Sequence, residues 1–365
     1  MPVSGTPLPT WAAATASGDP AGTTAGEDHP TLSLVMPTIA WEGTFPRCAD
    51  AALKSLRPGD QALFVFDGSP PEPPAWLLAT GACLLCTSHR QGPAAARNLG
   101  ARQARQPILV FVDADVEIHS DALDRLRAHF CADPGLSAVF GSYDNQPAAP
   151  GLVSRYRNLL HHHTHSSHPG QASTFWAGLG AIRREAFLAV GGFDAVAYPR
   201  PSIEDIELGL RLSDGGARLL LDPAIQGTHH KLWTLRSMLT TDIRQRAIPW
   251  SRLLLQRHQG SSVLNLDWRA RLSTLLSLAL ALSSGALAWW PWIWPLPLLA
   301  LAGVLLLNHR FHRLCLRQGG PALALVAISL QVIYFLYSAL TFAVVLLQHH
   351  LCAIRAAAAR MWMKP

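Results

Sequence analysis

Between residues 32 and 140, short apolar runs of strand length alternate with segments of helical composition. The strand-like runs are Leu32–Thr38, Ala62–Ser69, Ala82–Cys86, Pro107–Val112 and Leu136–Phe140. The segments between them predict helices over Cys48–Leu56, Gly92–Ala101 and Ser120–Phe130. Strands that alternate with helices favour right-handed crossovers, so the pattern predicts an α/β fold with a doubly wound, mostly parallel, Rossmann-like sheet.

The chain changes character after residue 271. No charged side chain occurs from Leu272 to Leu307 or from Pro321 to Ile354, and each run exceeds the ~20 residues that cross a bilayer as a helix. Tryptophans and prolines from Trp289 to Pro295 interrupt the first run and predict a hairpin of two short spans. We therefore expect an all-α transmembrane region with three helices. The alternative is one tilted span in the first run.

These patterns divide the chain into four parts. Residues 1–30 are rich in Pro, Gly, Ala and Thr and lack Lys and Arg, which predicts a disordered leader rather than a signal peptide. We expect the α/β domain over residues 31–255, an interfacial linker over 256–271 and the transmembrane region over 272–365. Without an export signal, the α/β domain is expected in the cytoplasm, on an integral protein of the inner or cytoplasmic membrane.

The charge distribution argues against a nucleic-acid partner, and the cysteine spacing argues against a metal or redox site. The formal net charge of +6 comes largely from arginines near the membrane segments, which indicates contact with membrane lipids and no nucleic acid. Of the six cysteines, only Cys83 and Cys86 have a metal or redox spacing, and no second pair follows them. Their place in a strand predicts buried free thiols.

The strand Pro107–Val112 ends in two carboxylates, Asp113 and Asp115, separated by one alanine. Ligands of open parallel sheets bind outside the carboxyl ends of the strands, where these acids lie. Alternation along an extended chain puts both side chains on one side. Two hard oxygen donors suit Mg²⁺ or Mn²⁺, which usually bring a substrate phosphate. The alternative is an Asp-rich turn that caps the next helix.

A second acidic pair occurs near residue 204. Ser202 is expected to cap a helix and to place Glu204 and Asp205 in its positive first turn. Glu207 and Arg211 lie four residues apart and predict a surface ion pair. Helix capping alone is the alternative explanation for Glu204 and Asp205.

Two further segments are expected to lie near a bound ligand. The strand-like run Phe175–Ile182 contains glycines that would let a ligand approach the backbone. Histidines cluster between His161 and His168, which predicts a flexible loop near the acceptor, with a transition-metal tract as the alternative.

Four motifs resemble those of the family 2 glycosyltransferases of GT-A fold, in the order and spacing of that family. The resemblance covers roughly Leu32 to Trp250. The matching motifs are Leu34–Thr38, Val65–Ser69, Gly92–Asn98 and Phe111–Asp115. By this resemblance, Pro37 and Asp67 would line the nucleotide base and ribose, and Arg97 would brace the site. Asp113 would contact ribose or metal, and Asp115 would hold the metal ion on the donor diphosphate.

The resemblance also implies a general base and a third metal ligand. The family places its acceptor-activating carboxylate in a pair such as Glu204-Asp205, so Asp205 would be the base. Several members supply a histidine after a late strand, and His229 matches that pattern better than His230. Processive members carry a Gln-x-x-Arg-Trp motif, whereas this chain has Gln245-Arg246-Ala247-Ile248-Pro249-Trp250, which argues against polymer synthesis.

The sequence thus predicts a membrane-anchored, inverting glycosyltransferase that uses Mg²⁺ or Mn²⁺. The donor would be a UDP- or GDP-linked sugar and the acceptor a lipid-linked molecule or glycan held at the membrane. An aspartyl-phosphate-forming phosphatase is the alternative enzyme, since Asp113-Ala114-Asp115-Val116 fits its opening motif. A membrane scaffold without catalysis is the third hypothesis.

Overall fold

The computed structural model describes residues 29–257 and 267–362, with side chains up to residue 355. The predicted leader lies outside this range except for its last two residues. The described chain forms two compact units. The first runs to Pro150 and resumes from His161 to Leu232, and the second comprises Gly151–Leu160 and the chain from Trp233 onward. The predicted domain boundaries at residues 255 and 271 stay predictions.

The first unit contains, within the described residues, a nine-stranded sheet with the order β3-β2-β1-β4-β8-β6-β9-β5, and β7 pairs with β9. The strands are β1 (Leu32–Thr38), β2 (Gln61–Phe66), β3 (Cys83–Cys86), β4 (Ile108–Val112), β5 (Val116–Ile118), β6 (Leu136–Tyr143), β7 (Gly170–Ala172), β8 (Leu179–Arg183) and β9 (Arg218–His229). The helices around them are α1 (Phe45–Lys54), α2 (Ala75–Leu78), α3 (Pro93–Gln103), α4 (Ala122–Ala132), α6 (Arg184–Ala189) and α7 (Glu204–Asp214), while α5 (Leu152–Ser166) has residues in both units.

The predicted α/β fold is confirmed. Strands β1, β2, β3 and β4 pair in parallel, as the alternation of strands and helices predicted. The second half of the sheet is mixed, because β8 lies antiparallel between β4 and β6, and β9 pairs antiparallel with β5. All five residues of β4 are buried, which agrees with a run of β-branched and aromatic side chains covered on both faces.

The helix starts differ from the sequence-based predictions in two places. The helix predicted to be capped by Ser120 begins at Ala122, and Asp121 at its N-cap makes no side-chain capping bond. The helix predicted to be capped by Ser202 begins at Glu204 after Ile203. Both caps were therefore wrong. The predicted Glu207–Arg211 ion pair is present, with 2.7 Å between Arg211 Nε and Glu207 Oε1.

The regular secondary structure in the described residues of the second unit is entirely helical. It contains the start of α5, then α8 (Leu235–Thr240), a π-helical segment (Thr241–Ala247), α9 (Ile248–Arg257), α10 (Trp268–Ala286), α11 (Pro295–Leu307) and α12 (His309–Trp362). Gly320 has a φ of 70°, and the following proline has no N–H to donate, so α12 is kinked there. A short 3-10 turn, Pro291–Ile293, lies between α10 and α11, where the sequence predicted a hairpin.

The helices of the second unit share an apolar core and a buried ion pair. Tyr156, Trp233 and Phe311 belong to one buried cluster. Arg157 donates to Asp242 over 2.6 Å, and the Tyr337 hydroxyl donates to the same carboxylate over 2.7 Å. Pairing the buried Asp242 with both groups compensates the cost of removing its charge from water.

Many large apolar side chains of the second unit are exposed. They include Leu275, Leu282, Trp289, Trp292 and Leu299, each at least 60% exposed. Within the described residues, one helical stretch, residues 309–355, is long and apolar enough to cross a membrane, and residues 291–307 form a shorter apolar helix. The number of spans stays a prediction.

Candidate active site

The two aspartates that follow β4 lie in a tight turn rather than in an extended chain. Asp113 N donates to Gly178 O over 3.1 Å, and Val116 N donates back to Asp113 O over 3.0 Å. The chain therefore reverses before β5, and the two carboxylates meet different partners. Asp113 faces Arg97, and Asp115 lies beside His229.

Arg97 is a buried cation that links the two acidic motifs. It is 5% exposed, and its guanidinium donates to Asp113 Oδ1 over 2.6 Å and to Glu204 Oε1 over 3.0 Å. Burial alone would raise the pKa of Asp113, and so does the charge of Asp115, while Arg97 lowers it. The net pKa of Asp113 lies above its usual value. Arg97 thus holds together two carboxylates that are far apart in the sequence.

The start of α3 sets the position of Arg97. Gly92 has a φ of 90°, and a Cβ there would lie 2.5 Å from Pro199 O, so the position requires glycine. The buried carboxylate of Asp67 accepts from Gln91 N over 2.8 Å and from Gly92 N over 2.9 Å. Asp67 therefore sits at the positive N-terminal end of α3 and fixes the loop in front of it.

The four residues predicted to bind the nucleotide share one edge of the sheet. Pro37 is half-buried near the end of β1, Asp67 follows β2, and Asp113 follows β4, while Arg97 reaches Asp113 from α3. The carboxyl ends of parallel strands meet at that edge, where ligands of such sheets bind. Contact of these residues with a nucleotide stays a prediction.

Glu204 and Asp205 lie in the first turn of α7 but differ in their surroundings. Glu204 is 4% exposed, with one oxygen on Arg97 and the other accepting from Ser202 N over 2.8 Å. Asp205 is less buried and accepts from Ala177 N over 3.2 Å. Burial and the charge of Glu204 raise the pKa of Asp205 to about 6, although Arg97 opposes them. Of the pair, Asp205 is therefore the carboxylate suited to exchange protons near neutral pH.

Asp115 and His229 are brought together by the pairing of β5 with β9. His229 is the partner of Val116 in the sheet register, and His230 N donates to Asp115 O over 2.9 Å. His229 Nε2 lies 3.6 Å from Asp115 Oδ2. Burial would raise the pKa of Asp115, but His229 and Lys231 more than offset it and lower the pKa below its usual value. The side chain of His230 lies elsewhere, 2.6 Å from Glu117.

Comparison with known proteins assigns part of the chain to a family. Residues 33–191 match the model of the family described as glycosyl transferase family 2. This part of the chain is a family 2 glycosyltransferase domain. Two pre-mycofactocin glycosyltransferases, from two strains of Mycobacterium tuberculosis, are each 32% identical over 164 residues, which cover 41% of this chain. The match spans only 33% of the length of these relatives.

A solved structure agrees with this assignment at the level of fold. It is a mannosyltransferase from Pyrobaculum calidifontis in complex with GDP-Man and Mn²⁺, with a TM-score of 0.53 and 19% sequence identity. The match covers 91% of this chain and 92% of that one. The predicted GT-A fold is thereby confirmed. The family match favours the glycosyltransferase prediction over the phosphatase.

The glycosyltransferase domain offers a small donor set for a divalent cation. Among the described residues, no group of three or more His, Cys, Asp and Glu side chains is arranged to hold a metal ion. Asp115 and His229 form a pair of an oxygen and a nitrogen donor, and Asp113 is already engaged by Arg97. Mg²⁺ and its relatives usually bind through one or two carboxylates together with substrate phosphates. The residues therefore fit an ion whose coordination the donor diphosphate completes.

The glycines of Phe175–Ile182 leave room for neighbouring aromatic side chains. A Cβ on Gly178 would lie 2.4 Å from the indole of Trp176, and a Cβ on Gly180 would lie 2.6 Å from the ring of Phe175. These glycines accommodate two aromatic side chains of the glycosyltransferase domain. Approach of a ligand to this backbone stays a prediction.

Sequence analysis assigned no individual role to three residues around the site. Asn98 directly follows Arg97, and its amide donates to Phe193 O over 2.8 Å and accepts from Phe193 N over 2.9 Å. The pairing Arg97-Asn98 could have suggested that both side chains brace the site. Tyr143 and Trp176 pack with the histidines of α5, which form a helix where a flexible loop was predicted. The pattern of apolar and polar residues around Tyr143 and Trp176 does not indicate their contact with these histidines.

A cavity of about 340 Å³ opens beside the end of β3. Thr87 and Gln91, which both hydrogen-bond to Asp67, are among its lining residues. None of the residues predicted to bind the donor or the metal lines it. We therefore place the candidate chemistry at the carboxylate cluster rather than in this cavity.

Proposed function

We propose that this chain transfers a sugar from a nucleotide-sugar donor, UDP- or GDP-linked, to an acceptor at a membrane. The observation that carries the proposal is the Arg97 bridge, which joins Asp113, inside the segment that matches family 2 glycosyltransferases, to Glu204 beyond it. The bridge holds the acidic turn after β4 next to the acidic helix start of α7. The pre-mycofactocin relatives and the mannosyltransferase bound to GDP-Man are consistent with a sugar transferase.

Donor recognition is assigned to Pro37, Asp67, Arg97 and Asp113. Their position at the carboxyl edge of the sheet suits a nucleotide. The Asp67 carboxylate stabilises the loop at the start of α3, and through that helix it sets the position of Arg97. Arg97 is charged and buried, so water does not compete with Asp113 for its guanidinium.

Asp115 and His229, with Asp113, are assigned to a divalent cation, Mg²⁺ or Mn²⁺. Such an ion, when bound, supplies Lewis-acid stabilisation of charge on a leaving nucleoside diphosphate, which is worth several kcal/mol. The low pKa of Asp115 keeps its carboxylate charged and able to coordinate. The sheet register between β5 and β9 fixes the backbones that carry both side chains.

Asp205 is assigned as the general base. It would take the proton of the acceptor hydroxyl while the oxygen attacks the anomeric carbon and the bond to the diphosphate breaks, with the electron pair leaving on the diphosphate. A pKa of about 6 leaves this carboxylate unprotonated at neutral pH yet still basic. Glu204, whose two oxygens are both engaged, would act by holding Arg97. One displacement without a covalent intermediate inverts the anomeric carbon.

A lipid-linked acceptor is supported by the second unit. Many of its leucines and tryptophans are exposed, and residues 309–355 are long and apolar enough to cross a bilayer. Holding the enzyme at the membrane raises the effective concentration of an acceptor in that membrane. We propose that the glycosyltransferase domain faces the cytoplasm.

The proposal is tested with membranes that contain the chain, a panel of nucleotide sugars and mass spectrometry of the product. Wild type should transfer one sugar to a lipid-extractable acceptor with inverted anomeric configuration. Asp205→Asn should keep donor affinity and lose transfer by ~10²-fold or more. Asp214→Asn, an exposed change at the other end of α7, is the matched control and should behave as wild type. Transfer with retention, or full transfer by Asp205→Asn, would contradict the proposal.

A further inference from the structure

The ring of His229 is stacked on Tyr143, the last residue of β6. The ring centroids are 4.2 Å apart and the planes differ by only 7°. The ring of His161 also lies 4.2 Å from that of Tyr143, and Trp176 meets Tyr143 edge-on at 4.9 Å. Tyr143 is thus the centre of an aromatic cluster that ends at the candidate metal ligand.

Helix α5 holds this cluster through its histidines. His161 and His165 lie one helical turn apart, with ring centroids 4.1 Å from each other. His165 Nδ1 lies 2.9 Å from Gly141 O, and His162 Nδ1 lies 2.8 Å from Tyr143 O. Because a carbonyl only accepts, Nδ1 carries the proton in both rings. The end of β6 is therefore fixed to α5 by side chains that sequence analysis assigned to a loop.

The ring faces of the cluster are covered by protein and are not open to a sugar. Tyr143 is 9% exposed, His165 is 8% exposed and His229 is 4% exposed. A sugar ring stacks on an aromatic face that is open to solvent, and too little of Tyr143 is open for that. The half-buried Trp176 covers the edge of Tyr143 and leaves it even less accessible.

What the stacking can control is the orientation of the His229 imidazole. The pairing of His229 with Val116 fixes its backbone, but side-chain torsions still decide where Nε2 points. A parallel ring at 4.2 Å restricts the imidazole to one plane, and in that plane Nε2 lies 3.6 Å from Asp115 Oδ2. The ring plane and the separation of the two donors are therefore set together.

We propose that Tyr143 is a positioning residue that orients His229, so that His229 Nε2 and the Asp115 carboxylate present their donor atoms to the same divalent cation. This inference rests on the metal site of the proposed function. Groups that orient metal ligands typically change metal affinity by 10–100-fold when they are lost. A merely structural role for Tyr143 would change stability without changing how a metal ion is bound.

The test uses the purified full chain and Mn²⁺ alone, with two readouts. Electron paramagnetic resonance titration measures the dissociation constant, and pulsed measurements detect nitrogen coupled to Mn²⁺. Wild type should show a histidine nitrogen coupling that His229→Ala removes. Tyr143→Phe keeps the ring and should keep both the affinity and the coupling. Tyr143→Leu should weaken Mn²⁺ binding by ~10–100-fold and lose or alter the coupling.

Tyr143→Met guards against a folding defect, because methionine fills an irregular apolar space without a ring. It should weaken Mn²⁺ binding in the same direction as Tyr143→Leu while circular dichroism stays that of wild type. Unchanged affinity and coupling in a folded Tyr143→Met or Tyr143→Leu variant would overturn the positioning role alone. Absence of nitrogen coupling in wild type would instead overturn the metal assignment of His229, and the inference with it.

Discussion

Replacing Arg97 tests whether the buried bridge organises the glycosyltransferase domain. In Arg97→Met, the carboxylate of Glu204, 4% exposed, loses its counter-ion, while Asp113 keeps access to solvent because its side chain is 32% exposed. Leaving a buried charge unpaired costs about 3–5 kcal/mol, so we expect the free energy of unfolding to fall by that amount, mostly because Glu204 is left unpaired. In Arg97→Lys, the ammonium can reach only one of the two carboxylates. The free energy of unfolding should fall by about 1.5–3 kcal/mol, the contribution of one charge-assisted hydrogen bond.

The two halves of the bridge can be separated by a double-mutant cycle. Glu204→Gln removes the charge that Arg97→Met leaves unpaired, so the double variant should be more stable than the sum of the single changes predicts. We expect a coupling free energy of about 2 kcal/mol or more, near the upper part of the range for contacting residues.

Urea unfolding of the detergent-solubilised chain measures these free energies. Hydrogen exchange of peptides from α3 and α7 measures them locally. Arg102→Met is the matched control on α3. It removes an exposed arginine and should change stability by less than about 0.5 kcal/mol. A loss below about 1 kcal/mol for Arg97→Met, or additive effects in the cycle, would refute the bridge as an organising pair.

Three further predictions concern the pH profile, the start of α3 and the limits of the fold. Since a base must be unprotonated and the pKa of Asp205 is about 6, kcat should fall about tenfold per pH unit below 6 and stay level above it, a limb that Asp205→Asn should lack. Gly92→Ala should lower the thermal unfolding temperature more than Gly81→Ala, because both have positive φ but only Gly92 faces a backbone oxygen at 2.5 Å. Ending the chain after Arg257 should give aggregates in size-exclusion chromatography, because Trp233 loses its partners on α12, and a folded monomer would contradict this.

The first half of the sheet could be predicted from the sequence because its signals are local. Each of β1, β2, β3 and β4 is a short apolar run, and a helix or turn follows it. The order of such runs implies parallel pairing through right-handed crossovers. The same reasoning put Asp113 at the carboxyl edge of the sheet, where the structure has it.

The rest depended on long-range pairing, which periodicity does not record. The antiparallel insertion of β8 and the pairing of β5 with β9 determine which residues face Asp115. The expectation that Asp113 and Asp115 share one side assumed an extended strand, whereas the chain turns after Val112. The histidines of α5 were assigned to a loop because polar rings gave no apolar stripe, although their rings are covered by Tyr143 and Trp176.

The position of β9 has a consequence for how the site is assembled during synthesis. The segment that matches the family model ends at residue 191, yet β5 and β7 pair with β9, at residues 218–229, and β6 pairs with β9 along the edge that β8 leaves open. A nascent chain that stops at residue 191 would present β5 and β7 without their partner and one open edge of β6, and unsatisfied backbone groups of this kind are a template for association with other chains. His229, the last residue of β9, is also the candidate metal ligand. Closure of the sheet and placement of this candidate ligand are therefore one event, and a chain released before β9 would be prone to association and would lack His229.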